Sequence, residues 1–487
     1  MSDLLNIGKS GLSAARSNLQ TTGHNISNAN TEGFSRQRVH QQANAPILKQ
    51  GHNHGSGTRV RSISRVHDEF VEKRLNASIS NHNHHQERAD QLTQIENLFN
   101  EVDTDGLNKV LNRFYNSFRE LSNQPENETL RSVVRDSAGL VVQDFQRIRN
   151  NLNESARNID YRINTEVEDI NTILKSLAEL NKRITSLEAM GEQTGDLRDQ
   201  RDLQVRELSK SFKIQTYSDD RNNFIISAVG VGTLVSGGQH QELHASAVSQ
   251  DRSGNNMDGS MEIFFRNRPS TPITSGFQNG RFASMLEVRN NDIRELQDRI
   301  DNVAYDFAKS VNAVHRRGYA NRPTEIGPDG TARNTDSWGP LTGINFFANI
   351  DDRAGAAKNL RLSDEVRDDL SNIVTALNPN SPGDNRVAIA ISKLQHERIM
   401  SGGSATLEEY YLQTIGNVGL EAGKAKFDAE QAEGIYAQAN AVRERISGVS
   451  LDEEAANLVK HQHAFQASAK VIQAADEMFQ TVLGLKR

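Results

Sequence analysis

The chain of 487 residues contains 34 Gly, 9 Pro and no Cys, which excludes a collagen-like repeat and a disulfide-stapled fold. Hydrophobic residues make up 36% of it, enough for buried cores, and its length fits about three domains. With 56 basic and 63 acidic residues the net charge is −7, so the basic excess typical of nucleic-acid-binding proteins is missing and no nucleic acid is expected as a partner.

The hydropathy pattern predicts no membrane insertion. The longest weakly apolar stretch, from Phe224 to Val235, contains Gly230 and Gly232 and falls well short of the roughly 18 residues that a membrane helix needs. The N-terminal residues are polar and do not form a cleaved signal peptide, so residence in the cytoplasm is the default expectation. The lack of Cys fits a reducing compartment and equally fits a chain exported unfolded, so it does not decide the location.

A heptad pattern predicts helices at both ends of the chain. Small or apolar residues alternate steps of three and four, the spacing of a helix that packs against another helix. The N-terminal series is Leu5, Gly8, Leu12, Ala15, Leu19, Thr22 and Ile26. The C-terminal series is Leu451, Ala455, Leu458, Gln462, Phe465, Ala469, Ile472, Asp476, Phe479 and Leu483.

The predicted N-terminal helix carries few charges. Between residues 1 and 31 only Asp3, Lys9 and Arg16 are charged, whereas a helix surface in water usually mixes both signs. A neutral polar face favours contact with copies or homologues of the chain. The alternative is an ordinary amphipathic helix that packs within its own domain.

This helix is predicted to end in a structured turn between Asn25 and Phe34. Asn tolerates left-handed and Asx-turn conformations, and Gly33 admits a positive φ. The turn residues are Asn25, Asn28, Asn30, Gly33 and Phe34. The segment from Gln41 to Thr58 contains Pro and Gly and is predicted to be a loop.

Long helices are predicted in the first half of the chain. Helical spacing runs over residues 92–121 and 134–187, and the second stretch includes about fifty residues without Gly or Pro, a rod on the order of 75 Å. Asp103 and Asp105 imitate part of a calcium loop, but the Gly and Glu that an EF-hand requires are missing, which favours a helix break.

A change to a period of two predicts strands between residues 214 and 275. The alternating apolar positions include Phe212, Ile214, Thr216, Met261, Ile263 and Phe265. Helical spacing returns at residues 293–314, from Leu370 and at 407–446. A stretch rich in Gly, Pro and Asn, which holds Trp338, separates the first two of these.

These elements predict a mainly α fold with inserted β structure: an elongated rod of long antiparallel helices and terminal coiled-coil-like helices, plus a small antiparallel β module. The halves of the chain pair as antiparallel helices, with both termini at one end. The expected domains are a terminal helical polymerisation domain (1–60 with 430–487), a long-helix rod domain (61–213 with 276–429) and an inserted β domain (214–275). Residues 318–360 are either a second insertion or a loop.

A search for chemical motifs predicts no catalytic residue, no metal ligand and no cofactor. Gly8-Lys9-Ser10 lacks the first Gly and the preceding strand of a phosphate-binding loop. Among the His clusters, only His82 and His85 are suitably spaced on a helix, and no obvious carboxylate or thiol completes a metal site. We therefore expect that the protein is not an enzyme.

Both ends and two interior points resemble the axial proteins of the bacterial flagellum. The stretch Leu19-x-x-x-Gly23-x-Asn25-Ile26-Ser27-Asn28-x-Asn30-Thr31-x-Gly33-Phe34 resembles the signature shared by rod, hook and hook-associated proteins. Ser35-Arg36-Gln37, the C-terminal stretch 447–472, Asp199-Gln200-Arg201-Asp202 and Gly383-Asp384-Asn385 are similar to the hook-associated members.

The resemblance implies a structural protein, exported through the flagellar channel without a cleaved signal peptide, that lies outside the cell at the hook–filament junction and is needed for filament attachment and motility. It implies a ring-like homo-oligomer that contacts hook protein, a second junction protein (hook-associated protein 3) and a flagellar export chaperone. The implied subunit-packing residues, on the inner tube of the axial structure, are Leu5, Leu12, Leu19, Ile26, Leu451, Leu458, Phe465, Ile472, Phe479 and Leu483.

Three alternatives stay open at this point. The chain could be a hook or filament subunit of the same axial family, or a hydrolase that acts during assembly. A third alternative is binding to a membrane surface through the terminal helices, which the missing basic face disfavours.

Overall fold

The computed structural model describes residues 2–49, 52–99, 106–220, 223–250, 256–322, 324–328, 332–334 and 340–484. Asp103, Asp105 and Trp338 lie outside the described residues. The described part is mainly helical with small antiparallel sheets, which confirms the predicted fold class.

Twelve α-helices are distributed along the described part of the chain. They are α1 (Ser2–Ser27), α2 (Glu69–Leu98), α3 (Leu107–Asn123), α4 (Glu128–Ala189), α5 (Gly195–Ser211), α6 (Gly280–Glu287), α7 (Ile293–His315), α8 (Ala356–Asn359), α9 (Asp364–Asp368), α10 (Arg386–Lys393), α11 (Leu407–Ser447) and α12 (Leu451–Gly484). Local signals set several of these limits. Thr406 and Glu409, for example, form a capping box that begins α11, and the side chain of Asn127 caps the first turn of α4.

The strands are short and all their pairings are antiparallel. They are β1 (Gln37–Ala43), β2 (Ile47–Lys49), β3 (His52–His54), β4 (Thr58–Arg65), β5 (Ile214–Ser218), β6 (Phe224–Ala228), β7 (Gly232–Ser236), β8 (Gln239–His240), β9 (Leu243–Gln250), β10 (Asn256–Phe265), β11 (Arg268–Pro272), β12 (Thr324–Ile326) and β13 (Ala332–Asn334). β1 pairs with β4, β2 with β3 and β12 with β13.

Helix α4 is the central axis of the body, by which we mean helices α2 to α11 with their inserted strands. Its 62 residues span about 93 Å, longer than the predicted rod. The apolar residues predicted from helical spacing are buried along one face, where α3, α5 and α7 pack. Buried members of this face include Val134, Val141, Phe145, Ile148, Leu152, Ile159, Ile163, Ile170, Leu177 and Ile184. Because an isolated helix gains little from propensity alone, this packing is what stabilises it.

The predicted strands between residues 214 and 275 are confirmed, and they form two sheets. The strand orders are β5-β6-β7-β8 and β11-β10-β9. Amide side chains of α4 attach both sheets: Asn171 donates to Leu243 O (2.9 Å) and accepts from Leu243 N (2.8 Å). Asn181 donates to Gly237 O at 3.0 Å. The inserted strands therefore have a fixed position on the surface of α4.

The long helix α11 runs antiparallel to α2. Lys426 lies 3.8 Å from Glu96, whereas Ala439 packs with Leu75 and Ile79 at the opposite end of α2. The buried face of α11 consists largely of small residues, which lets the two helix backbones approach closely. Its buried residues include Thr414, Val418, Ala422, Ala425, Ala429, Ala432 and Ala439.

Two local predictions were wrong. Residues 41–58, predicted as a loop, contain the end of β1, all of β2 and β3 and the start of β4, because long-range pairing between β1 and β4 makes this segment a hairpin. The helix predicted to begin at Leu370 is a single 3₁₀ turn there, after which the chain extends, and regular helix returns only at α10. Ile373 and Val374 are fully buried in this extended segment, so the apolar spacing reflects insertion into the core.

A buried histidine connects the end of α7 to two later segments. The Nε2 atom of His315 accepts a hydrogen bond from Val374 N (2.9 Å), so Nδ1 carries the proton and donates to Ile344 O (2.8 Å). Burial lowers the pKa of His315 to about 4. Only the neutral ring with its proton on Nδ1 makes both bonds.

We expect a pH-dependent loss of stability that depends on His315. Between about pH 6.5 and 4 the unfolded chain binds a proton that the folded chain does not, so the free energy of unfolding falls by up to about 3 kcal/mol as the pH decreases. Urea unfolding between pH 4.5 and 7.5 measures this slope. His315→Leu should be less stable at pH 7 and show a shallower slope, whereas the exposed control His396→Leu should retain the wild-type slope. Equal slopes for wild type and His315→Leu would contradict the assignment.

Candidate assembly interface

The two ends of the chain form an antiparallel helix pair, α1 with α12. Gly8 of α1 faces Ile472 of α12 so closely that an added Cβ would lie 2.7 Å from Ile472 Cγ1. A Cβ at Gly11 would lie 2.9 Å from Ser468 Oγ. The small residues of α1 therefore allow close backbone approach to α12 of the same chain.

The predicted N-terminal heptad divides into two kinds of residue. Its small members are covered: Gly8 is buried, and Ala15 and Thr22 are each 4% exposed. Its large members are less covered, since Leu5 is 41% exposed. The half-buried ones are Leu12, Leu19 and Ile26. Part of the apolar surface of α1 thus remains accessible beside the internal contact.

Most of α12 is exposed. Among its described residues only Glu454 and Ala475 are buried. The predicted packing residues Phe465 and Ile472 are half-buried. The exposed ones are Leu451 (53%), Leu458 (37%), Phe479 (52%) and Leu483 (56%). A surface with this many large apolar side chains is typical of a helix that has further partners.

The turn after α1 is held by the buried side chain of Asn25. Its Oδ1 accepts from Gln37 N and its Nδ2 donates to Gln37 O, both at 2.9 Å, so the amide pairs with β1 as a strand residue does. Nδ2 also donates to Glu454 Oε2 of α12 at 3.1 Å. One amide therefore joins α1, β1 and α12.

The other turn residues shape the path between α1 and β1. Asn28 Nδ2 donates to His24 O (3.0 Å), and the Phe34 ring packs edge-on against the His24 ring. Gly33 has φ +80°, a left-handed conformation that favours glycine. A Cβ added at this position would lie 3.3 Å from Leu203 Cβ of α5. Asn30 is exposed at the tip of the turn.

A buried arginine connects the terminal pair to the body. The side chain of Arg443, near the end of α11, is 4% exposed, and its Nη2 donates to Gly33 O (3.1 Å) and Phe34 O (2.9 Å). Its Nε lies 3.5 Å from Glu72 Oε1 of α2, and the same carboxylate lies 3.3 Å from Arg206 Nε. We call this cluster, Gly33, Phe34, Glu72, Arg206 and Arg443, the joint.

Hydrogen bonds on both crossing segments extend the joint. Arg36 N donates to Ser447 O at 2.8 Å and so links the outgoing and returning chain. Asp199 of α5 accepts from Ser35 N (3.0 Å) and from Arg65 Nη1 (2.9 Å). The carboxylate of Asp199, singled out in the sequence, therefore anchors the outgoing segment and β4 to α5.

Sequence reasoning missed Arg443, Glu72 and Arg206. A signal for Arg443 was present: it continues the series of small buried residues on α11, in which Ala439 precedes it by one turn. A charged residue in such a series predicts a buried ion pair. Glu72 and Arg206 lie on different helices, so no spacing along the chain indicates that they meet.

The described residues do not form a metal centre or a membrane-spanning segment. Within the described ranges, no group of three or more His, Cys, Asp or Glu side chains is arranged to hold a metal ion. In the same part of the chain, the helices lack the length and hydrophobicity needed to cross a bilayer.

Both ends of the chain match families of flagellar rod proteins. Residues 5–34 match the family described as flagella basal body rod protein, and residues 444–485 match the C-terminal family of the flagellar basal body rod FlgEFG proteins. These matches place the chain in the class of structural flagellar proteins. Residues 92–329 match the helical domain of flagellar hook-associated protein FlgK.

Full-length relatives identify the family. The chain is 30% identical to flagellar hook-associated protein 1 of Bacillus subtilis (strain 168), with 98% of this chain and 97% of that protein covered. It is 25% identical to the protein of the same name in Salmonella typhimurium, over 100% of both chains. The chain therefore belongs to the flagellar hook-associated protein 1 family.

A solved structure has a similar fold. The flagellar hook junction protein FlgK from Burkholderia pseudomallei matches with a TM-score of 0.62 and 14% sequence identity. The match covers 77% of this chain and 100% of that chain.

We expect the joint to depend on the Arg443 guanidinium. Arg443→Met removes two hydrogen bonds to carbonyls and one partner of a buried carboxylate, so the free energy of unfolding should fall by about 3 kcal/mol. Amide exchange of Ser35, Arg36 and Gln37 should accelerate. Chemical denaturation and hydrogen exchange measure both effects.

The matched control is Arg445→Met, on an exposed residue of the same helix. It should change stability by less than about 0.5 kcal/mol and leave exchange at Ser35 to Gln37 unchanged. Equal effects of the two substitutions would show that Arg443 does not hold the joint.

Proposed function

We propose that this chain is the structural adapter of the hook–filament junction, located outside the cell on the flagellum, and that it acts without catalysis. Membership of the hook-associated protein 1 family supports a structural role in the flagellum. The observation that carries the mechanism is the row of exposed large apolar residues on α12, which the single chain leaves uncovered. Their burial against neighbouring molecules is the driving force for assembly, at about 25 cal/mol per Å².

The packing residues that we propose are those of the two predicted heptads. Between copies, the large side chains of α1 and α12 pack into an inner tube, while the small residues of α1 keep the two helices of one chain together. The proposed set is Leu5, Leu12, Leu19, Ile26, Leu451, Leu458, Phe465, Ile472, Phe479 and Leu483. The turn residues Asn25, Asn28, Asn30, Gly33 and Phe34 direct the chain outward from this tube.

The joint supports a division of the chain into a terminal helical unit and a body. The predicted limit at residue 430 falls within the continuous helix α11, so we place the limit of the terminal unit at Gly448, where α11 ends. The body comprises the long helices with the inserted strands of residues 214–275 on α4. The described residues of the segment 318–360 belong to the body as loops with a short β-hairpin and the short helix α8.

The partners that we propose follow from this placement. The chain forms a ring-like homo-oligomer, with hook protein on one side and the second junction protein, hook-associated protein 3, on the other. A flagellar export chaperone holds the exposed terminal helix before export. A chaperone is required because exposed apolar helices aggregate when uncovered.

The function is tested by replacing the chromosomal gene with variants. Phe465→Asp places an unpaired charge in the proposed contact, at a cost of several kcal/mol, and should leave hooks without filaments and cells that do not swim. The purified monomer should stay soluble because Phe465 is only half-buried in the single chain. The control Gln466→Asp introduces the same charge at an exposed neighbouring position and should permit swimming. Normal filaments with Phe465→Asp would refute the proposed contact.

Hydrogen exchange of the free monomer provides a second test. We expect fast amide exchange at residues 1–30 and 455–487, because α12 buries only Glu454 and Ala475 among its described residues and α1 packs mainly on α12. The buried core of α4 serves as the internal reference and should exchange slowly. Protection of the ends equal to that of α4 would mean that the terminal pair is complete without neighbours.

A further inference from the structure

The outer face of α11 exposes large apolar residues. At 100° per residue, these side chains fall within an arc of about 140°, opposite the buried alanine face that packs against α2. They are Leu412 (49% exposed), Leu420 (74%), Phe427 (66%) and Ile435 (46%). This face is separate from the terminal helices and extends along the body of the chain.

Three glycines lie within the same arc, on the side of Leu412. Apart from the adjacent residues and the nearby backbone of α11 itself, no described atom lies within 4 Å of the position that a Cβ would take at Gly416, Gly423 or Gly434. Gly destabilises a helix relative to Ala, and here Ala would fit without a clash. The single chain gains nothing from these glycines, whereas a second helix that packs on this face could approach the backbone closely.

A second exposed apolar face lies on α4. Val133 is 42% exposed, Leu140 39% and Tyr161 75%, and these positions are separated by multiples of seven. α11 packs against α2 and α7, while α4 packs against α3, α5 and α7. The two faces therefore lie on different helices of the body, and α2 and α7 contact both of these helices.

We propose that the outer face of α11 in one copy of this chain docks against the exposed face of α4 in the next copy around the ring. This inference rests on the proposed function, since it needs copies arranged side by side. Two different faces of one chain make a head-to-tail contact, which closes into a ring when the rotation between copies permits it.

The α11 face is too small to bind a free chain, so the molecule that covers it has to be a neighbouring copy that other contacts already hold in position. The exposed side chains of α11 offer a few hundred Å², below the roughly 800 Å² per partner of a stable interface. They cannot hold two chains together in dilute solution. Only three residues separate α11 from α12, so packing of the terminal helices between copies brings the bodies of neighbouring copies together and raises their effective concentration.

The variant Gly423→Leu distinguishes an effect on assembly from an effect on the stability of the single chain. The substitution removes a helix glycine at an open position, so the purified monomer should have an unchanged or higher melting temperature. The added side chain should prevent close helix approach and reduce the number of filaments per cell at least tenfold. The control Glu433→Leu adds the same side chain to an exposed position of α11 outside the arc and should leave filament number unchanged.

Cross-linking identifies the occupant, and the absence of Cys in the chain makes introduced thiols unique. Hook–filament complexes from cells with Gly423→Cys and Leu140→Cys in one chain should give a ladder of cross-linked multimers with a bismaleimide. The control pair Glu433→Cys and Leu140→Cys should not. Cross-links to another flagellar protein instead, or dimers without a ladder, would overturn the proposed head-to-tail contact.

Failure of the proposed α11 contact can be distinguished from failure of the proposed function. Normal filaments with Gly423→Leu, together with loss of filaments with Phe465→Asp, would refute the α11 contact and leave the junction function intact. Normal filaments with both variants would refute both proposals.

Discussion

The chain crosses between its terminal helix pair and its body twice, and the structure depends on holding these two crossings together. The first crossing leaves α1 through residues 28–36 and the second enters α12 through 448–450. Arg443 bonds to the carbonyls of the first crossing from the helix that leads into the second, and Glu72 compensates its charge. A buried guanidinium that lost these partners would be strongly destabilising, so the contacts of the joint favour one orientation of the terminal pair.

The chain leaves hydrophobic surface uncovered at α12 and on the outer face of α11. In a solitary protein such surface lowers solubility and adds nothing to stability. In a polymer the same surface supplies free energy at the moment of assembly, and it does so without weakening the core around α4. This uncovered surface is therefore available for contacts between copies, while the body is already packed in the single chain.

Buried and half-buried polar side chains position the parts of the body relative to one another, where apolar packing alone would let them shift. Asn171 and Asn181 fix the sheets on α4, and Asp301 accepts hydrogen bonds from Gly355 N (2.8 Å) and Ala357 N (2.9 Å). Arg131 donates to the carbonyl of Pro125 at 2.6 Å. Burial lowers the pKa of Arg131 to about 10, so the guanidinium remains charged at neutral pH. These hydrogen bonds form in one relative arrangement of the helices and sheets, which gives the body a defined shape.

The sequence by itself determined the helices at both ends, the long helix in the middle, the position of the inserted strands and the turn after α1. These features follow from periodicity and from the conformational preferences of Asn and Gly, which act over a few residues. Only the tertiary structure decided that β1 and β4 form a hairpin, that the small residues of α1 face α12, and that Arg443, Glu72 and Arg206 meet. Those contacts join residues far apart in the chain, and their free energy comes from burial and pairing that exist only after the helices have packed.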